Sequence, residues 1–275
     1  MTQTIQTIYD NDNEFSWESI TRTFTDGVIQ TEERIMDNGI VRSSEYRDGG
    51  LLAHRTDVDT DDVMNWAERY QNYYDSGVVA FREIWFDDGV YRGFTYDEEG
   101  RSRQKYTEYA DGDTRLEYYQ NGVLTRVTQM DDTMGTGLNT KPWTWIGTDY
   151  NSDGTVQFRT IQYDDGSFKA EEYVGGLLSK ASWGDDQDTH DWDLILYGYN
   201  ASGEITTQTR RMDDSDVIIF LYEEEEIATR LHVDNDDSHS WYLRVTEFGD
   251  TGNVITTYDS YDDVPVEYQE LIGIA

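Results

Sequence analysis

Tryptophan recurs along this chain at Trp17, Trp66, Trp143, Trp192 and Trp241, with spacings of 49, 77, 49 and 49 residues. A sustained internal period restricts the fold to repeat architectures, in which each unit buries its apolar face against its neighbours. Punctuation returns in phase after each Trp. A first turn falls at Thr25-Asp26-Gly27, Asp75-Ser76-Gly77, Ser152-Asp153-Gly154, Ala201-Ser202-Gly203 and Asp250-Thr251-Gly252. A second follows twelve residues later, at Asp37-Asn38-Gly39, Asp87-Asp88-Gly89, Asp164-Asp165-Gly166, Asp213-Asp214-Ser215 and Asp262-Asp263-Val264. Four copies place a tyrosine seven residues beyond that turn: Tyr46, Tyr96, Tyr173 and Tyr222.

The 77-residue spacing defines the smallest unit. A 23-residue segment with two extra turns lies between Gly89 and Gly112, and five further residues fall in the loop at 134–142. Inserting two strands leaves the chain direction unchanged, so the building block is a hairpin. The repeats run over about 10–58, 59–135 (with the inserted hairpin near 90–112), 136–184, 185–233 and 234–275, read as one array through 1–275.

These repeats read as β. Asp-Gly and Asn-Gly favour two-residue hairpin turns, where both positions need φ > 0. Runs of eight to ten residues between turns suit strands. Val90–Tyr96 and Thr160–Tyr163 alternate polar residues with β-branched and aromatic ones. The stretch 216–222 is apolar beyond its first residue and predicts a strand covered on both faces. Residues 1–9 alternate and predict a capping strand. Two segments have helical character: 62–71, which occupies the Trp phase read as strand elsewhere, and 266–272. The fold class is all-β, an elongated antiparallel sheet or solenoid of hairpins; a small propeller with one repeat per blade and a closed barrel are the alternatives.

The net charge is −36, from 57 acidic and 21 basic side chains. Such a field repels nucleic acid and anionic membranes and opposes compaction until cations screen it. No apolar run reaches the ~20 residues of a spanning helix. Absence of cysteine removes disulfides and thiol chemistry. No signal peptide is legible, so an extracellular site implies a leaderless route or release within a virus particle.

An acidic cluster precedes the Trp in phase. Asp10, Asp59, Asp185 and Asp234 stand seven residues ahead of four tryptophans, and Asp12, Asp61 and Asp236 five ahead of three. Asp57, Asp59, Asp61 and Glu68 form the metal candidate, with Ca²⁺ the cation that alternating carboxylates suit. A solvated acidic loop is the plain alternative, because Asp62 stands where a calcium loop needs glycine. The Trp and Tyr columns read as cross-strand ladders before they read as a ligand platform. His54, His190, His232 and His239 share no phase; Ser240 beside His239 allows a Ser-His-Asp arrangement to be written, without evidence of proximity.

Tyr163-Asp-Asp-Gly166, Tyr173-Val-Gly-Gly-Leu-Leu178 and Asp185-Asp186 resemble tandem repeats of large secreted proteins of marine alphaproteobacteria, which also carry RTX-type calcium segments. More distantly, Tyr119-Gln-Asn-Gly-Val-Leu124 is similar to YD-type and MORN-like hairpins. The resemblance implies an all-β scaffold with an adhesive or architectural role and no catalytic residue. The glycine-rich calcium nonapeptide is absent, so calcium binding does not carry over. A chain of this length beginning at Met1 is unlike a segment of a giant adhesin. The resulting expectation is a non-catalytic, rigid attachment or spacer module, on a virion of tail-fibre type or secreted at the cell surface. Its partners would be protein neighbours or a surface receptor or glycan, with homo-oligomers among them. A calcium-dependent binding module and a glycan-active enzyme using paired carboxylates are the alternatives.

Overall fold

The computed structural model describes residues 2–131 and 141–273. The chain divides into two compact units, Met1–Asn139 and Thr140–Ala275, at the boundary between the second and third repeats. The five-residue extension assigned to 134–142 lies, up to Thr140, outside the described residues. Unit 1 contains β1 (Gln3–Tyr9), β2 (Trp17–Thr25), β3 (Val28–Met36), β4 (Ile40–Tyr46), β5 (Leu52–Asp59), β6 (Trp66–Tyr73), β7 (Val79–Phe86), β8 (Tyr91–Tyr96), β9 (Ser102–Glu108), β10 (Thr114–Gln120) and β11 (Val123–Met130). Unit 2 contains β12 (Trp143–Tyr150), β13 (Val156–Tyr163), β14 (Ser167–Val174), β15 (Leu177–Asp185), β16 (Trp192–Tyr199), β17 (Ile205–Met212), β18 (Val217–Glu223), β19 (Glu226–Val233), β20 (Leu243–Glu247), β21 (Val254–Tyr258) and a short helix α1 (Val266–Ile272).

Within each unit every strand pairs antiparallel with the next. The hairpin-repeat sheet is therefore what the chain forms. A propeller would interrupt hydrogen bonding between blades. Here the repeat boundaries are themselves ladders: β5 pairs with β6, β15 with β16 and β19 with β20. The inserted hairpin is β8–β9, stitched between β7 and β10 without a break in pairing.

Turn chemistry is more varied than Asp-Gly alone implies. Asp26-Gly27 forms a two-residue turn with both φ positive (49° and 85°), closed by the Thr25–Val28 pair. Most other glycines sit one residue later. Gly77 N–H donates to the Tyr74 carbonyl and Tyr74 N–H to the Val78 carbonyl, which places a left-handed glycine (φ 82°) after a tighter turn. In the Asp-Asn-Gly and Asp-Asp-Gly turns the residue before Gly accepts the N–H two residues on: Asn38 from Ile40, Asp88 from Val90 and Asp165 from Ser167. Aspartates thus cap several of the turns.

A single-layer sheet can bury only the middle of each strand, and the pattern is one of near-central buried residues such as Ile20, Ile84, Ile146, Ile161 and Ile195. Glycine and aromatic residues fill in for volume. At Gly184 a β-carbon would enter the ring of Phe168, its cross-strand partner, so the aromatic ring takes the place of the absent side chain. The end of unit 2 differs. Ile219, Leu231, Val233, Leu243 and Val245 form an apolar cluster covered by Tyr268, Leu271 and Ile272 of α1. On the opposite face of β18, the Arg210 and Arg230 guanidiniums lie over the Phe220 ring. The apolar run at 217–222 is therefore covered on both sides. The segment 266–272 is helical; 62–71 enters strand β6 at Trp66, because Trp66 is pinned by its ladder to Phe86.

Candidate functional site

The Trp period marks a closure device between hairpins. Trp17, Trp66, Trp143 and Trp192 open β2, β6, β12 and β16, opposite Met36, Phe86, Tyr163 and Met212. In each, the register then jumps by one residue, a bulge that twists the strand start. The residue two before the Trp lies against the indole in four copies: Phe15 on Trp17 (5.2 Å), His190 on Trp192 (4.8 Å), His239 on Trp241 (4.5 Å), and the Lys141 ammonium over Trp143 (5.2 Å).

The phased aspartate holds that residue in place. Its carboxylate accepts the backbone N–H five residues on: Asp10 from Phe15 (2.7 Å), Asp59 from Met64 (2.6 Å), Asp185 from His190 (2.6 Å) and Asp234 from His239 (2.9 Å). Burial pushes the Asp185 carboxyl up, but the His190 N–H and ring, together with Thr189, outweigh it and bring it down to about 2. Asp234 is held low in the same way by the His239 and Ser238 N–H groups against the cost of burial. The spacing that suggested a cation loop thus serves an internal cap.

The proposed metal set is not gathered. Asp57 is buried on β5, between Arg42 (2.7 Å) and Arg69 (2.8 Å). Asp59 caps Met64, Asp61 lies against Gly39, and Glu68 projects from the other face of the sheet, opposite Val58 in the register. Strand alternation separates Asp57 from Glu68, and the two arginines neutralise the charge that a cation would need.

Asp57 belongs to a cationic face of unit 1. Residues directly opposite in antiparallel neighbours share a face. One row runs Arg22, Glu32, Ser44, Arg55, Gln71, Arg82, Phe94, Lys105, Glu117 across β2 to β10. The adjacent row carries Arg34, Arg42, Asp57, Arg69, Arg92 and Arg115. Nine basic side chains meet three mid-strand carboxylates on these rows. Arg22 and Arg34 clamp Glu32 at 2.7 and 2.8 Å, and their charges override burial to lower its pKa. Arg115 and Lys105 do the same for Glu117. Arg55 and Arg82, flanking Gln71, form no ion pair among the described residues, and their Nε atoms are buried without a hydrogen-bond acceptor.

The histidines have separate fates. His54 meets the Tyr70 hydroxyl at 2.7 Å, and His190 Nδ1 meets its own Asp185 at 2.9 Å. In the fifth copy, His232 Nε2 lies 2.7 Å from Asp216, and its ring abuts His239 and Trp241 edge-on. Ligand atoms of Asp216, His232 and His239 lie within 4.8 Å of one another, as do those of Asp216, Asp234 and Asp236. The histidines carry no phase in the sequence, and Asp216 reaches His232 only through the β18–β19 register. Neither the His232 nor the His239 ring is hydrogen-bonded to a hydroxyl among the described residues, so the Ser240 triad does not assemble.

A concave part of unit 2 lies elsewhere. A trough of ≈ 490 Å³ runs over small side chains of β14 to β17, among them Ala170, Ser182 and Thr209, and ends at Leu271 of α1. It contains no histidine, and its charged residues are Glu172 and Lys180.

No family model matches the chain, and no curated protein matches it. Among solved structures it is similar to the TCP10 domain of Danio rerio CPAP in complex with a peptide of Danio rerio STIL, at 13% identity over 94% of this chain and 100% of that one, with a TM-score of 0.35. It is also similar to the Photorhabdus luminescens Tc holotoxin pore, at 11% identity over 96% of this chain and 15% of that one (TM-score 0.23). A putative 6-phosphogluconolactonase from Bacteroides uniformis aligns at 9% identity over 96% and 97% of the chains (TM-score 0.18). At such scores neither fold nor role passes from these proteins to this chain.

Proposed function

We propose that this protein is a non-catalytic attachment module whose binding surface is the cationic face of unit 1. The observation that carries this reading is the presence of two basic rows in a chain of net charge −36, with Arg55 and Arg82 unpaired beside Gln71. Acidic side chains are abundant enough to neutralise every guanidinium, yet among the described residues none pairs with these two, which lie half-buried on the sheet face. Guanidinium forks recognise carboxylate and sulfate groups in a planar geometry. An anionic surface glycan presents such groups along an extended chain, as the rows present their donors along the sheet. Repulsion from the acidic loops is screened beyond ~8 Å at physiological ionic strength, so the local face dominates at contact.

The non-catalytic reading draws support from a mismatch. The trough over β14 to β17 holds no histidine, and the Asp/His cluster lies outside it, whereas a catalytic centre built on that cluster needs the concavity and the titratable groups together. An outward role, secreted or on a virion, accords with the acidic composition. The test is retention on immobilised carboxylated or sulfated polysaccharide beside a neutral one. Native protein is expected to bind the anionic matrix in a salt-dependent way, and Arg55→Ser/Arg82→Ser to bind at least ~10-fold more weakly. Equal binding by the variant, or equal retention on the neutral matrix, removes the proposal.

A further inference from the structure

We infer that the fifth Trp loop of unit 2 binds a divalent transition-metal ion of the zinc class through Asp216, His232 and His239. Three segments meet there. Asp216 stands at the end of the turn leading into β18, His232 lies on β19, and His239 lies on the loop that follows. Their ligand atoms fall within 4.8 Å of one another. Each is already oriented by a contact outside the trio. Asp216 Oδ1 accepts the Asn235 N–H at 3.1 Å, and the Asp216 N–H is taken by Asp214 at 3.0 Å. The His239 backbone is fixed by Asp234, and its ring is stacked on Trp241 at 4.5 Å. Outer contacts of this kind set ligand orientation in metal sites.

The comparison with the fourth copy isolates what is special. There the histidine two before Trp192 spends its Nδ1 on the phased aspartate, Asp185. In the fifth copy the phased Asp234 is taken up by the N–H groups of Ser238 and His239 and by the Ser238 hydroxyl. The His239 ring makes no hydrogen bond among the described residues, so a nitrogen donor is left available beside a second imidazole. His232 Nε2 and the Asp216 carboxylate already meet at 2.7 Å, where an ion would bridge them.

Donor chemistry selects the ion. Two imidazoles and one carboxylate suit Zn²⁺, Co²⁺ or Ni²⁺, whereas Ca²⁺ and Mg²⁺ require oxygen ligands. Asp234 and Asp236, with oxygens within 4.8 Å of that of Asp216, add negative charge at the same point. The Asp57 region offers no nitrogen donor and is closed by arginine, so this site is distinct from the one the sequence suggests.

The whole chain, stripped with EDTA, is titrated with ZnCl₂ by calorimetry and with CoCl₂ by visible absorption. One equivalent is expected to bind, with a cobalt spectrum showing nitrogen ligation and a rise in the unfolding temperature. CaCl₂ and MgCl₂ at the same concentration are expected to leave both unchanged. His239 is exposed, so His239→Ala should fold normally and bind at least ~10-fold more weakly, while His54→Ala should bind as the native chain does. Unaltered affinity in His239→Ala, an equal response to calcium, or no stoichiometric zinc binding overturns the inference.

Discussion

At the scale of single residues, one aspartate per Trp copy organises a loop. Asp185 shows the consequence for acid stability. Its folded pKa, about 2, lies below the ordinary value near 4, so the cap contributes in full above the unfolded value and is lost as pH falls through the folded one. Asp185→Asn is expected to be less stable at neutral pH and to lose less stability than the native chain between about pH 4 and pH 2. Parallel urea melts across that range read both; identical pH slopes for the two proteins would show that the N–H cradle carries no charge-linked stability. Glu32, Glu117, Glu171 and Asp234 are also held low, so the native transition contains several such contributions. The turn at Glu224-Glu225 is the converse case. Both residues adopt positive φ (50° and 69°) with no glycine to relieve it, a local cost of about 1–2 kcal/mol per residue.

Among the elements, the hairpin is the exchangeable part. β8 and β9 add two strands without changing which face any later residue uses, because a 23-residue shift maps Arg92 onto Arg115 and Phe94 onto Glu117 on the same rows. Removing residues 90–112 brings β10 against β7 in the register that β8 occupies. That deletion is expected to leave a β-sheet circular dichroism spectrum and a cooperative urea transition with a smaller m-value, in keeping with the smaller surface buried. Loss of cooperativity would show instead that β8–β9 nucleate unit 1. The element boundaries were legible because turns are local: glycine and aspartate at fixed spacing state where a strand ends. The helical character of 62–71 misleads for the complementary reason. Trp66 is placed by a partner twenty residues away, and pairing with Phe86 overrides local propensity.

For the molecule as a whole, charge is sorted by face and by loop. Several aspartates cap turns, and arginines gather on one side of unit 1, so a net charge of −36 coexists with a cationic surface. Self-repulsion among the loops still opposes folding. Raising NaCl from 0.05 to 0.5 M is expected to raise the unfolding temperature by roughly 2–8 °C, about 1–2 kcal/mol for units of this size. A flat or falling response would mean that the arginine clamps, which salt weakens, outweigh the repulsion. The sequence by itself determined the repeat, the hairpin as its unit, the insertion and the phase of the Trp and Asp columns, because these depend on spacing along the chain. The tertiary structure alone decided what those columns do. Strand register, a relation between distant residues, places Arg42 and Arg69 on Asp57, closes the suggested cation site and brings His232 to Asp216, joining a pair that no spacing connects.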